Sequence, residues 1–155
     1  VVGTDRTISL FETARRAHEL GENLDTKEKA EAPLTFPNGC HIAEVEIDPE
    51  TGVVDVVTYT AVDDPGVMLN SMIVEGQVHG SIAQGLGQAL AENAIYDASS
   101  GQLVAGSFMD YGMPRSNRLP SFVTKIVEVL SPTNPLGIKA GGEGGTTAAP
   151  AVSQS

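Results

Sequence analysis

The hydrophobic period of this chain switches midway from two to about 3.6, and that switch restricts the fold more than any other feature. Between His41 and Asp48 the side chains alternate. His41, Ala43, Val45 and Ile47 fall on one face, and Ile42, Glu44, Glu46 and Asp48 on the other, which is the pattern of a strand with unlike faces. Pro49-Glu50-Thr51-Gly52 has the chemistry of a short hairpin loop, with proline early and glycine where positive φ is needed. Val53 to Ala61 returns as a β-branched partner strand, ending at the turn Asp63-Asp64-Pro65-Gly66. From Val74 to Ala91 the apolar positions Val74, Val78, Ile82, Leu86 and Leu90 lie four apart, so a helix is expected there. A hairpin followed by an amphipathic helix packs as one layer on another. The expected class is α+β, a mixed or antiparallel sheet packed by helices.

The remaining elements extend this frame. Ser9-Leu10-Phe11-Glu12 reads as a capping box, with Leu10, Ala14, Ala17 and Leu20 on one helical face and Gly21 as a left-handed stop. Glu22 to Asn38 lacks any period and reads as a surface connector. Ile95-Tyr96-Asp97 and Gln102-Leu103-Val104 flank a Ser99-Ser100-Gly101 turn, as in a small hairpin. Ser107 to Pro114 is irregular, and its Phe108, Met109 and Tyr111 are read as core packing, with the lining of an access channel as the alternative. Val123 to Leu130 is expected as a further strand, running into the rigid turn Ser131-Pro132-Thr133-Asn134-Pro135. Thr146 or Thr147 is expected to cap a helix starting at Ala148, with Pro150 in its first turn. At 155 residues the chain is read as one domain, with 1–35 a helix and connector and 36–155 the core.

Two glycine-rich stretches stand out. The expected helix holds Gly76, Gly80, Gly85 and Gly87, each costing about 1 kcal/mol relative to alanine. Gly76 and Gly80 are assigned to tight helix–sheet packing. Gln84-Gly85-Leu86-Gly87 is the part suited to a ligand, on a stripe of uncharged polar residues (Gln77, Ser81, Gln84, Gln88). The second stretch is Lys139-Ala140-Gly141-Gly142-Glu143-Gly144-Gly145, where one carboxylate stands between two glycine pairs. Glu143 is the acid–base candidate if a ligand encloses it, whereas pairing with nearby Lys139 would make it an ordinary solvated acid.

Other chemistries are excluded. A formal charge of −11, from 20 acids against 9 bases, opposes a nucleic-acid partner. The lone Cys40 rules out an internal disulfide framework and a cysteine-rich metal site. No apolar run approaches the roughly 20 residues of a membrane span. Gly85-Leu86-Gly87 is no dinucleotide fingerprint, since the third glycine is missing and the pair lies inside a helix. His18, His41 and His79 have no metal-ligand spacing and read as surface or packing histidines. Ser107 and Ser121 lack a nucleophile-elbow context, and Asp63-Asp64 reads as a turn.

Four motifs in order carry a resemblance. Gly76-Gln77-Val78-His79-Gly80-Ser81-Ile82-Ala83-Gln84-Gly85-Leu86-Gly87-Gln88-Ala89-Leu90, then Gly106-Ser107-Phe108-Met109-Asp110-Tyr111, then Ser131 to Lys139, then Gly142-Glu143-Gly144-Gly145 closely resemble the C-terminal region of the molybdenum-binding large subunit of the xanthine dehydrogenase, aldehyde oxidase and aerobic carbon monoxide dehydrogenase family. The likeness covers Phe36 to Val152, with 1–35 fitting less closely. It implies a fragment of a molybdenum hydroxylase, part of the molybdenum cofactor-binding domain, that oxidises an aldehyde, an N-heterocycle or carbon monoxide with water as oxygen source. Glu143 would be the base acting on a molybdenum-bound hydroxide, and Gln84, Gly85 and Gly142 would bind the cofactor; no residue of the chain would ligate metal. The cofactor would be molybdenum-molybdopterin in its cytosine dinucleotide form. Partners would be the upstream part of the large subunit, an iron–sulfur subunit, an FAD subunit and a small-molecule substrate, in a cytoplasmic enzyme or one with a periplasmic parent. Cys40 does not match the copper-binding loop of carbon monoxide-oxidising members. Without its upstream domains the fragment is expected to bind no cofactor alone and to be inactive. The alternative is a non-catalytic structural or interaction domain retaining the fold.

Overall fold

A computed structural model describes residues 3–31 and 33–148, and the chain divides into two compact units, Val1–Ala32 and Pro33–Ser155. The first unit carries one helix, α1 (Leu10–Glu19). Its start is the expected one, since the Ser9 hydroxyl accepts the Glu12 N–H at 3.1 Å. Its end is a Schellman closure around Gly21 at φ +68°: the Gly21 N–H donates to the His18 carbonyl and the Glu22 N–H to that of Ala17. No residue of α1 is buried within the unit, and Leu10 is 81% exposed. The helix therefore rests on its caps and on the exposed Arg15–Glu19 pair, worth a few tenths of a kcal/mol.

The second unit contains β1 (Asn38–Ile47), β2 (Val54–Asp64), α2 (Ser71–Leu90), a short 3-10 turn at Ser116–Arg118, β3 (Phe122–Ile126) and α3 (Glu143–Ala148). The sheet order is β1-β2-β3, antiparallel in the first pair and parallel in the second. A parallel neighbour needs a long crossover, and α2 lies within it. The hairpin loop closes as its residues dictate: Asp48 accepts from the Glu50 N–H and the Thr51 hydroxyl, and Gly52 takes φ +72°. A register shift between Glu44 and Val45 leaves Val57 as an extra residue turned to solvent. This bulge keeps both Val56 and Tyr59 on the inner face.

The inner face and α2 make the core. Tyr59, Ala61, Val78, Ile82 and Leu86 are buried together, ringed by Ala43, Val56, Leu119, Phe122 and Ile126. The four-residue stripe is thus a packing face, and burying each large apolar side chain contributes about 1.5–3 kcal/mol. The Asn70 carboxamide caps α2 by accepting the Ile73 N–H. That cap begins the helix three residues before the expected Val74.

Other expectations change. β3 ends at Ile126 rather than Leu130, because the Val129 N–H goes to the Asp64 carboxylate instead of a ladder. The Tyr96–Leu103 bridge forms as expected, its turn tied by Asp97, which accepts from both the amides and the hydroxyls of Ser99 and Ser100. Phe108 and Met109 are not core residues, at 78% and 93% exposed. The last helix starts at Glu143, inside the glycine run, not at Ala148. Thr147 therefore does not cap it, and its hydroxyl donates back to the Glu143 and Gly144 carbonyls. Pro150 lies outside the described residues.

Candidate functional site

The segment leading to Glu143 is pinned first. Gly66 and Ile138 form a bridge, the Val67 N–H donates to the Gly137 carbonyl at 3.1 Å, and the Lys139 N–H donates to that of Pro65 at 2.8 Å. This brings the Lys139 ammonium onto the Asp64 carboxylate, with side chains only 6% and 8% exposed. Lys139 is therefore committed to Asp64, where sequence proximity alone had suggested Glu143. Burial pushes the Asp64 carboxyl up, but Lys139 and the amides of Val129 and Gly66 outweigh it and hold it below the usual range.

The glycines around Glu143 serve close approach. Gly142 turns at φ +103°, and a Cβ there would lie 3.3 Å from the Gln77 Cβ. A Cβ on Gly145 would overlap the Ser81 hydroxyl and the Ile82 amide nitrogen, so α3 packs on α2 at backbone distance. This contact overrides the poor helix propensity of a glycine run and places Glu143 at the first turn of α3.

Glu143 and Gln84 line one groove of about 680 Å³, together with Gln77, Gly80, Gly142 and Thr146. The groove offers two neutral carboxamides, which can both donate and accept, beside a single carboxylate. Gln77 was placed on the polar stripe with Gln84 but not read as a site residue. Its signal was available: it stands two helical turns before Gln84 and so shares its face. Gly76 and Gly80 do not pack against the sheet as expected, since a Cβ on either would meet nothing within 4 Å. Gly80 presents bare backbone to the groove, and Gly76 faces open space. Gly85 is buried in α2 and lies outside the groove lining, while Gly87 packs against Pro114 and Glu92.

On its other side Glu143 lines a smaller cavity of about 280 Å³ with His41, Asp63 and Gly144. His41 is more than a packing histidine. Its Nε2 lies 3.0 Å from Asp63 Oδ1 and its Nδ1 3.1 Å from the Tyr59 hydroxyl. Burial, then the Asp63 charge, pushes the Tyr59 phenol up. His79 is exposed and meets the Thr124 hydroxyl at 3.1 Å; Cys40 and His18 are exposed.

The groove, with two amides and one carboxylate, is set on a mixed three-stranded sheet layered with helices. A family model for the molybdopterin cofactor-binding domain matches residues 1–120, and the chain belongs to that family. It is 42% identical over 117 residues to the nicotine 6-hydroxylase large subunit of Paenarthrobacter nicotinovorans, covering 76% of this chain and 14% of that protein. It is 36% identical over 110 residues to the carbon monoxide dehydrogenase large chain of Afipia carboxidovorans, covering 71% of this chain and 14% of that one. Quinoline 2-oxidoreductase from Pseudomonas putida 86 superposes with a TM-score of 0.70 at 47% identity, over 74% of this chain and 14% of that one. The chain thus spans a small part of the length of each. Among the described residues no helix is long and apolar enough to cross a membrane.

Proposed function

We propose that this chain supplies one wall of the active site of a molybdenum hydroxylase, with Glu143 as the general base and Gln77 and Gln84 holding the cofactor. The observation that carries the reading is the groove shared by Glu143, Gln84 and Gln77, walled by Gly80 and Gly142. The residues fit a molybdopterin group: Gly80 and Gly142 would leave room for it, and the uncharged amides of Gln77 and Gln84 would hold it, being able both to donate and to accept. When bound, that group supplies two-electron oxidation of an electron-poor carbon with water as oxygen source. Glu143 would hold the proton at its carboxylate as general base, positioned by the first turn of α3 and not paired with Lys139, which is engaged with Asp64. Gln84 and Gln77 orient the group, and Gly142 lets the chain pass close to it.

The same reading extends to the rest of the enzyme. Relatives are named as large subunits or chains of larger assemblies, which supports an upstream part of the same subunit, an iron–sulfur subunit and an FAD subunit as partners. The cytosine dinucleotide form of the cofactor and a cytoplasmic location belong to this proposal. The substrate class is an aldehyde, an N-heterocycle or carbon monoxide, and the chain alone is inactive.

The test uses the complete, cofactor-loaded enzyme. Glu143→Gln should lower turnover by about 10²–10⁴-fold at unchanged molybdenum content. Wild-type turnover in that variant would remove the base role. A fully assembled complex lacking molybdenum would return the chain to a structural part.

A further inference from the structure

We infer that His41 and Asp63 are positioning residues for the Glu143 carboxylate, an inference that rests on the base role proposed above. Asp63 stands opposite Gly39 of β1, and a Cβ on Gly39 would overlap Asp63 Oδ1. On its other side the carboxylate meets α3, where a Cβ on Gly144 would lie 3.1 Å from Asp63 Oδ1 and 3.4 Å from His41 Nε2. The carboxylate is thus held between glycines of two elements, and the residue following Glu143 rests on it. The pair is largely shielded from water, with the His41 and Asp63 side chains 4% and 16% exposed. A carboxylate only accepts, so His41 Nε2 donates to Asp63 and Nδ1 accepts from the Tyr59 hydroxyl. Tyr59 is 1% exposed, so the three-residue chain is anchored in the core.

The direction of Glu143 depends on this seat. Each helical residue turns the side-chain direction by about 100°, so a small slip in the first turn of α3 re-aims the carboxylate. Three contacts prevent it: Gly142 on Gln77, Gly145 on Ser81 and Ile82, and Gly144 on the His41–Asp63 pair. The first two tie the turn to α2. The third ties it to the sheet, where the hydrogen bonds of His41 to Asp63 and Tyr59 hold one geometry and an apolar contact would tolerate sliding. The same pair lines the 280 Å³ cavity that Glu143 also lines.

The experiment measures turnover per bound molybdenum in the complete enzyme for Asp63→Ala, Asp63→Asn, His41→Ala and Gly144→Ala, beside Glu143→Gln. Positioning predicts that Asp63→Ala and His41→Ala lower kcat by about tenfold to 10²-fold, with KM within about threefold and molybdenum content unchanged. Asp63→Asn, which still accepts from His41, should restore kcat to within about threefold. Gly144→Ala, whose methyl presses on the pair, reads the same loss if Asp63→Ala fails to assemble. Unchanged kcat per molybdenum in the Asp63, His41 and Gly144 variants, with Glu143→Gln inactive, overturns this inference alone. Turnover in Glu143→Gln overturns the base role and this inference with it.

Discussion

The Lys139 ammonium closes on the Asp64 carboxylate, one residue beyond the Asp63 that receives His41. Two adjacent acids at the end of β2 thus divide the labour: one fixes the strap leading into the glycine run, the other meets the turn that follows Glu143.

Breaking the first pair should cost more than replacing it. Asp64→Asn leaves a buried ammonium without its counter-charge, a loss of about 3–5 kcal/mol, while its side-chain oxygen still accepts from Gly66 and Val129. Asp64→Asn combined with Lys139→Met should lose less than the sum of the single changes, with a coupling of about 0.5–3 kcal/mol. Chemical unfolding of the four proteins measures this, and strict additivity would show that the pair does not interact.

The same contact sets a direction with pH. The Asp64 carboxyl is held below its usual value in the fold, so its stabilisation is present above the unfolded value, about 3.9, and is lost as pH falls through the folded one. Wild-type stability should drop below about pH 4 more steeply than that of Asp64→Asn. Parallel acid titrations of thermal unfolding would reveal equal slopes if the contact were absent.

Alanine at two glycines should act in opposite senses. Gly145→Ala drives a methyl into the Ser81 hydroxyl and the Ile82 backbone, where overpacking costs about 1–3 kcal/mol. Gly80→Ala meets nothing within 4 Å and should stabilise α2 by about 1 kcal/mol. In the complete enzyme the same methyl intrudes on the groove, so molybdenum content should fall even as the fold gains stability. Metal analysis and calorimetry on one preparation test both halves.

Helix entry gives a local control. Asn70→Ala removes the acceptor for the Ile73 N–H and should lower stability by about 1 kcal/mol, without changing how Glu143 is held. Calorimetry of the variant reads the stability, and turnover per molybdenum in the complete enzyme should match wild type.

Legibility followed distance along the chain. The β1–β2 hairpin, the capped ends of α1 and the apolar stripe of α2 were readable because each depends on residues a few positions apart. Gln84 and Glu143 stood out because glycines surround them, and the structure brings both to one groove. Gln77 was read only as a member of a polar stripe, because the contact that marks it, with Gly142, joins segments far apart in the chain. His41 was read as packing because its partners, Tyr59 and Asp63, are 18 and 22 residues away, and no local pattern announces them.

Side-chain period and capping chemistry were enough to define an α+β hairpin-and-helix frame, since strand alternation and helical stripes are properties of a short segment. Tertiary structure alone decided where α3 begins, which acid receives Lys139 and what the glycines are for. Those outcomes turn on close approach between segments 65 residues and more apart, as when Thr146 reaches the Ser81 carbonyl or Lys139 reaches Asp64. At such separations packing and electrostatic pairing outweigh local propensity, which by itself would have left the glycine run unfolded.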